Sequence, residues 1–370
     1  MKILFFHRWV GVRLGGTETH IKKIAEALAK KGHIVDILTL KGDKLSEFSF
    51  IHKVHFIKPS LFESLNSYPM KDIRVYIYTL LFMIKAVLRL LYLKIIKREY
   101  YDAVSVHFFT EAFVIRLLKS FLRWRYIFVL EGYTHLEAYE AKFADKVTSD
   151  SYAVRRRCYE NFGYLPIPIP IGTDMSRFHP DGDRIEFKDK KVILSLSRIA
   201  PEKDIDVLID AARIVLEKDQ NFSFLILGDG PEREKLEEKV KRCGLENDVI
   251  FKGAVDDNLI SMYYRSAHMF VVTQFPPDQV LITIADAMAS GVPVIATSPL
   301  DELEILGKVG IIVPPKKPKI LAQKILELGY NEALRESFKE KGLERVKQYY
   351  QWKDLLEKYV EVYEAIGLTC

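Results

Sequence analysis

Short apolar runs alternate along the chain with longer stretches whose apolar positions recur at helical spacing, a pattern that predicts alternating strands and helices. The chain opens on KILFF, passes a glycine-bearing loop at Gly11–Gly16, and continues as TETHIKKIAEALAKKGH. There Ile21, Ile24, Ala25, Leu28 and Ala29 mark one helical face, and Gly32 ends it. HIVDILTL predicts the next strand. Strand, glycine loop, helix and strand make the opening unit of a doubly wound α/β domain. Val54–Ile57, a loop with Pro59 and Pro69, and the apolar stretch Ile73–Ile96 follow. YDAVSVHFF and YIFVLEG then predict two more parallel strands, ending near His107 and Glu131.

LPIPIPIG carries prolines at 166, 168 and 170, which a central strand does not accommodate for long, so the domain junction is expected here. The alternation then restarts: KVILSLS, DIDVLIDAARIVLEK, FSFLILG, PEREKLEEKVKRCG, DVIFKG, LISMYYRSA and MFVVTQ. Next comes DQVLITIADAMASGVPVIA, which predicts a helix stopped by Gly291 and a buried parallel strand led by Pro293. Ile320–Gly367 is helical apart from short interruptions. The fold expected is α/β, with two Rossmann-like domains in tandem over residues 1–170 and 171–350.

At 370 residues, with 49% hydrophobic and 28% charged, the chain has a globular composition and the length of two domains. Cys158, Cys243 and Cys370 are scattered without metal-ligand spacing, which speaks against a disulfide framework or structural zinc and fits a reducing, cytoplasmic setting. The apolar start before His7 and Arg8 is too short for a signal peptide. The net charge of +5 is local, since Lys71–Arg98 holds seven Lys/Arg and one acid, and the remainder is close to neutral. A nucleic-acid surface is therefore not expected. The longest uncharged run within Ile73–Ile96 is ten residues, well short of the ~20 a membrane span needs. Arg74, Lys85 and Arg89 fall near one face of this helix with Tyr78 and Tyr92. Two readings stand: a helix lying in an anionic membrane interface, or a core helix with outward charges.

Candidate chemistry sits at the predicted strand ends. Arg198 and Lys203 in SRIAPEK flank a proline before a helix, where fixed positive charge and free backbone N–H groups suit a diphosphate. Gly228 and Gly230 lie between strand and helix, but Arg233 occupies the third position of a dinucleotide fingerprint, which leaves a tight turn as the alternative. The strand end FKGAV, with Lys252, could face a base edge through its backbone. Gly15 and Gly16 precede a helix start, where backbone can approach a phosphate closely. His107 ends a strand, where α/β sheets place their ligands, although a lone histidine is more often structural. Asp278 and Asp286 stand eight positions apart, about two helical turns or ~12 Å, and serve either solvent or the two ends of an elongated polar ligand. Asp181-Gly182-Asp183 and Asp204-Ile205-Asp206 read as a turn and a helix start, and no metal is expected.

In order, GGTE, the strand-end histidine, IPIGTD, SR…PEK, LGDGPE, the acid pair with seven residues between and AMASGVPVIAT resemble the retaining GT-B glycosyltransferases of family four, nearly end to end. The resemblance implies a sugar nucleotide held in a cleft between the domains, no cofactor and no metal. The acceptor would be a glycan, lipid or small molecule. Arg198 and Lys203 match the diphosphate pair, Asp278 the acid near the donor sugar and Asp286 the acid that binds the ribose. His107 matches the active-site histidine, and Gly15 and Gly16 the closing loop. Gly228, Gly230, Lys252, Leu281 and Ile282 fall among the implied donor contacts, and residues 351–370 would form a helix crossing back onto the first domain. The chain departs from the pattern in having Asp for Glu at both acids, Val280-Leu281 for Phe-Gly, and Glu131-Gly132 for His-Gly. A GT-B scaffold without catalysis and a related sugar-nucleotide enzyme are the competing functions.

Overall fold

The structure is a computed structural model that describes residues 1–10, 12, 16–42, 45–46, 48–58, 73–187, 190–274, 282–298 and 304–368. The chain divides into two compact units, Met1–Pro170 with Asp354–Cys370, and Ile171–Lys353.

The first unit is built on β1 (Lys2–Phe6), β2 (Ile34–Leu40), β3 (Lys53–Ile57), β4 (Ala103–Val106), β5 (Arg125–Leu130), β6 (Lys146–Ser149) and β7 (Ile167–Pro168). They form one parallel sheet in the order β3-β2-β1-β4-β5-β6-β7. Five helices connect them: α1 (Gly16–Lys30), α2 (Ile73–Ile95), α3 (Phe109–Leu122), α4 (His135–Ala141) and α5 (Tyr152–Phe162). Proline-rich β7 is two residues long and lies at the sheet edge, the place where a missing backbone donor costs least. Leu4, Phe6, Val104, Val106 and Phe128 fill one core layer against Phe82, Ala86 and Leu90 of α2.

The second unit contains β8 (Lys191–Leu196), α6 (Ile205–Lys218), β9 (Phe222–Leu227), α7 (Arg233–Arg242), β10 (Val249–Gly253), α8 (Ile260–Ser266), β11 (Met269–Val272), α9 (Ile282–Ala289), β12 (Val294–Thr297), β13 (Ile311–Val313), α10 (Pro318–Tyr330) and α11 (Glu332–Tyr349). Its parallel sheet runs β10-β9-β8-β11-β12-β13. Helix α12 (Trp352–Leu368) belongs to the first unit from Asp354 onward. There the Tyr363 ring stacks on Phe5 and its hydroxyl lies 2.5 Å from Ser105 Oγ.

Strand order reverses between β1 and β4 in the first sheet and between β8 and β11 in the second. Open parallel sheets bind ligands outside the carboxyl ends of strands at such switch points. His7, His107 and Glu131 directly follow β1, β4 and β5; Ser197-Arg198, Gly228 and Thr273-Gln274 directly follow β8, β9 and β11.

Candidate active site

In the first unit the strand ends gather a buried cluster. His107 and His20 both place Nδ1 on Glu131 Oε1, at 3.0 and 2.7 Å. Both rings are almost fully enclosed, and His7 meets His107 edge-on. Burial pushes the His107 pKa down, outweighing the hydrogen bond and charge of Glu131. Burial pulls the Glu131 carboxyl up, but the charge and hydrogen bonds of His20 and His107 hold it well below the usual carboxylate range. An ionised carboxylate only accepts, so both Nδ1 atoms carry protons, and the neutral His107 ring keeps Nε2 as an acceptor. That atom lies 3.4 Å from Ser105 Oγ. The strand-end histidine is thus enclosed, with Glu131 fixing its tautomer, and the partly exposed end of the cluster is Glu131, whose side chain is 11% exposed against 0% for His107. Reading His107 as a lone strand-end residue missed both partners. His20 was hidden within a helical pattern, and Glu131 registered only as a departure from the family.

Gly16 opens α1. A Cβ there would meet nothing within 4 Å. Gly15, Asp278 and Leu281 lie outside the described residues.

In the second unit Lys203 ends a short 3-10 helix, Pro201–Lys203, and Asp204 at φ 46 turns the chain into α6. The Lys203 ammonium donates to Gln274 Oε1 at 2.5 Å, and Thr273 Oγ1 donates to the Lys203 carbonyl at 2.8 Å. Side chains following β11 therefore lock the β8–α6 loop. Burial lowers the Lys203 pKa; Glu202 opposes this and the nearby Arg198 charge adds to it. A half-buried ammonium whose direct hydrogen bond goes to a neutral amide, with Glu202 as the nearby acid, can still take a ligand anion. Arg198 is exposed and reaches Glu202 at 2.5 Å, a surface pair worth little and readily exchanged for a ligand anion.

Gly228, at φ 116, and Gly230 pack against the same loop: a Cβ on the first would strike the Ser197 carbonyl, and on the second the Ile199 carbonyl. Backbone bonds Ser197 N–Leu227 O (3.2 Å) and Ile199 N–Asp229 O (2.9 Å) hold the two loops together. Both glycines are thus demanded by loop packing. Lys252 is exposed where the β10 register shifts between Phe251 and Gly253, and Ile282 is the half-buried first residue of α9.

Asp286, on α9, is buried and accepts from Thr173 Oγ1 at 2.5 Å. Burial raises its pKa to about 7, against the opposing Thr173 hydrogen bond and Arg177 charge. Thr173 is fixed through its backbone to Tyr350 and Trp352. The structure therefore brings Arg198, Lys203, Gly228 and Gly230 to one end of the second sheet and ties Asp286 to Thr173. Among the described residues no group of three or more His, Cys, Asp or Glu is placed to hold a metal ion.

Residues 14–177 match the family model for glycosyltransferase family 4, and residues 181–345 that for glycosyl transferases group 1. An uncharacterized glycosyltransferase of Methanocaldococcus jannaschii is 25% identical over 389 residues, covering 95% of this chain and 94% of the relative. Among solved structures, sucrose-phosphate synthase from Thermosynechococcus elongatus superposes with a TM-score of 0.82 at 19% identity, covering 100% of both chains. HepE of Anabaena, in complex with UDP and glucose, superposes at 0.76 with 18% identity, covering 99% of this chain and 100% of that one. Both are built, like this chain, from two Rossmann-like domains.

Proposed function

Because the chain belongs to the family 4 glycosyltransferases of GT-B fold, we propose that it transfers a sugar from a nucleoside-diphosphate sugar to an acceptor hydroxyl, with retention of configuration and without a metal. The observation that carries this reading is Lys203, a half-buried cation without an ion pair among the described residues, at the carboxyl edge of a parallel sheet and beside the exposed Arg198. HepE holds UDP and glucose on a similar fold, and a diphosphate supplies the charge that Lys203 lacks.

In the proposed reaction the bond from the anomeric carbon to the diphosphate breaks, and the electron pair leaves with the nucleoside diphosphate. The acceptor oxygen bonds the same face of that carbon, and its proton passes to the departing phosphate oxygen. Lys203 and Arg198 stabilise the charge that builds on the leaving group, the part a divalent cation plays elsewhere. Asp286 accepts from ribose hydroxyls once ionised. His107, held by Glu131, is the active-site histidine that the family resemblance implies.

Lys203→Ala tests this assignment. Turnover is expected to fall at least about tenfold with the melting temperature within a few degrees of wild type, the scale of losing one charge-stabilising group. Near-normal turnover removes Lys203 from the site. Nucleotide-induced stabilisation without turnover over a panel of acceptors supports the catalytically silent scaffold, which the Asp-for-Glu exchange at Asp286 favours.

A further inference from the structure

Among the described residues, 23 large hydrophobic side chains face solvent, and 19 of them belong to the first unit, so apolar exposure is a property of that unit and not of the whole chain. It is concentrated on α2. Tyr78, Phe82, Ala86 and Leu90 line its buried face, four residues apart. Tyr76, Leu80, Ile84, Leu88 and Tyr92 repeat at the same interval on the face that none of the described residues covers, and Leu80 and Leu88 are 58% and 61% exposed. Helix α3 packs against α2 and bares Leu117 and Phe121, one turn apart. A repeating apolar stripe of this kind marks an interaction site, since it is isolated exposed leucines that are common.

Charge selects the occupant. From Tyr76 to Arg98 there are five cations (Lys85, Arg89, Lys94, Lys97 and Arg98) and no acid. Arg89 lies 5.2 Å and Lys97 5.9 Å from the Tyr92 ring centre, and Lys94 lies 5.3 Å from that of Tyr100, so these cations border the apolar stripe. Three more cations lie on α3 and its cap, Arg116, Lys119 and Arg123, of which the first two pair with Glu140 and Asp145. The acid of α3, Glu111, is buried against Arg8. A second copy of this chain would set the same basic strip against itself, because a two-fold contact is made by one patch on both subunits. An anionic lipid surface complements it, with apolar side chains entering the acyl boundary while lysines, arginines and tyrosines stay at the head groups. Although its uncharged runs are short, by length and composition alone the segment Tyr76–Ile95, with mean hydropathy 1.6, passes for a membrane span with Lys85 and Arg89 inside it. Its inner face is committed to the unit's core, however, so the folded helix meets a bilayer lying in its plane.

We propose that α2 and α3 form a docking surface for an anionic lipid bilayer. On the glycosyl-transfer reading, and resting on it, this favours an acceptor anchored in the same bilayer.

Co-sedimentation of the full chain with vesicles tests the docking without donor or acceptor, so its failure is separable from failure of the proposed reaction. Vesicles of phosphatidylcholine with phosphatidylglycerol are expected to bind the protein, phosphatidylcholine alone to bind it at least about tenfold more weakly, and added salt to weaken binding. Leu80→Asn with Leu88→Asn changes exposed positions, so the melting temperature should hold while vesicle affinity drops at least about tenfold. The proposal is overturned if neither vesicle binds, if both bind equally, or if the double variant binds like wild type. It is also overturned if sedimentation velocity shows a dimer that the double substitution dissociates, since the stripe is then a contact between copies.

Discussion

Asp286 carries the most sharply readable electrostatics in the second unit. Its folded pKa of about 7 lies above the ordinary value of 3.8. The protonated carboxyl's contribution to stability is therefore whole below the ordinary value and is lost as pH rises through about 7. Asp286→Asn keeps an oxygen for the Thr173 hydroxyl but does not titrate, so wild type should lose stability relative to the variant between about pH 4 and pH 8. Urea unfolding of both proteins across that range checks it, and a pH-independent difference contradicts a neutral buried acid. A ribose held by the ionised form would release a proton near neutral pH. His107 makes a different demand. Because it sits on the first unit with Glu131 and His20, His107→Ala should lower transfer at least about tenfold while nucleoside-diphosphate affinity stays within about threefold. Equal loss of both makes the cluster structural. Such partners are invisible along the chain, since residues 107 and 131 meet only when β4 and β5 pair, and residue 20 reaches them from α1 once β1 pairs with β4.

Glycines separate elements that look alike in sequence. A methyl group at Gly228 must enter the Ser197 carbonyl at a φ of 116, and one at Gly230 the Ile199 carbonyl. Either alanine should lower stability by about 1–3 kcal/mol, read from the urea midpoint. A Cβ on Gly16, at the start of α1, meets nothing within 4 Å, so Gly16→Ala should leave stability unchanged or raise it by up to about 1 kcal/mol. A fall in transfer alone would then place a ligand before it. Strands β1, β8, β9, β11 and β12 were legible because both faces are buried, giving continuous apolar runs. The four residues of β6 (KVTS) and the three of β13 are too short or too polar for such a pattern, and their positions come from pairing with β5 and β12. Helix α2 was legible as apolar, but only packing shows that two opposite faces are apolar and that the described residues leave one bare.

For the whole molecule, the spacing of loops along the sequence already contained the ordering of a GT-B enzyme, because each chemistry-bearing residue had to follow a strand of a parallel sheet. Distances between Lys203 and Gln274, or between Thr173 and Asp286, span 71 and 113 positions and arise only from folding. The measurement that bears most directly on glycosyl transfer is a thermal-shift series of the wild-type protein with UDP-, GDP- and ADP-sugars in EDTA, followed by assay of nucleoside-diphosphate release from the stabilising donor. Stabilisation by at least one donor class, with release that persists in EDTA and drops in Lys203→Ala, is the expected result. Absence of stabilisation by every nucleotide sugar, or release that depends on a divalent cation, contradicts metal-independent transfer from a nucleoside-diphosphate sugar.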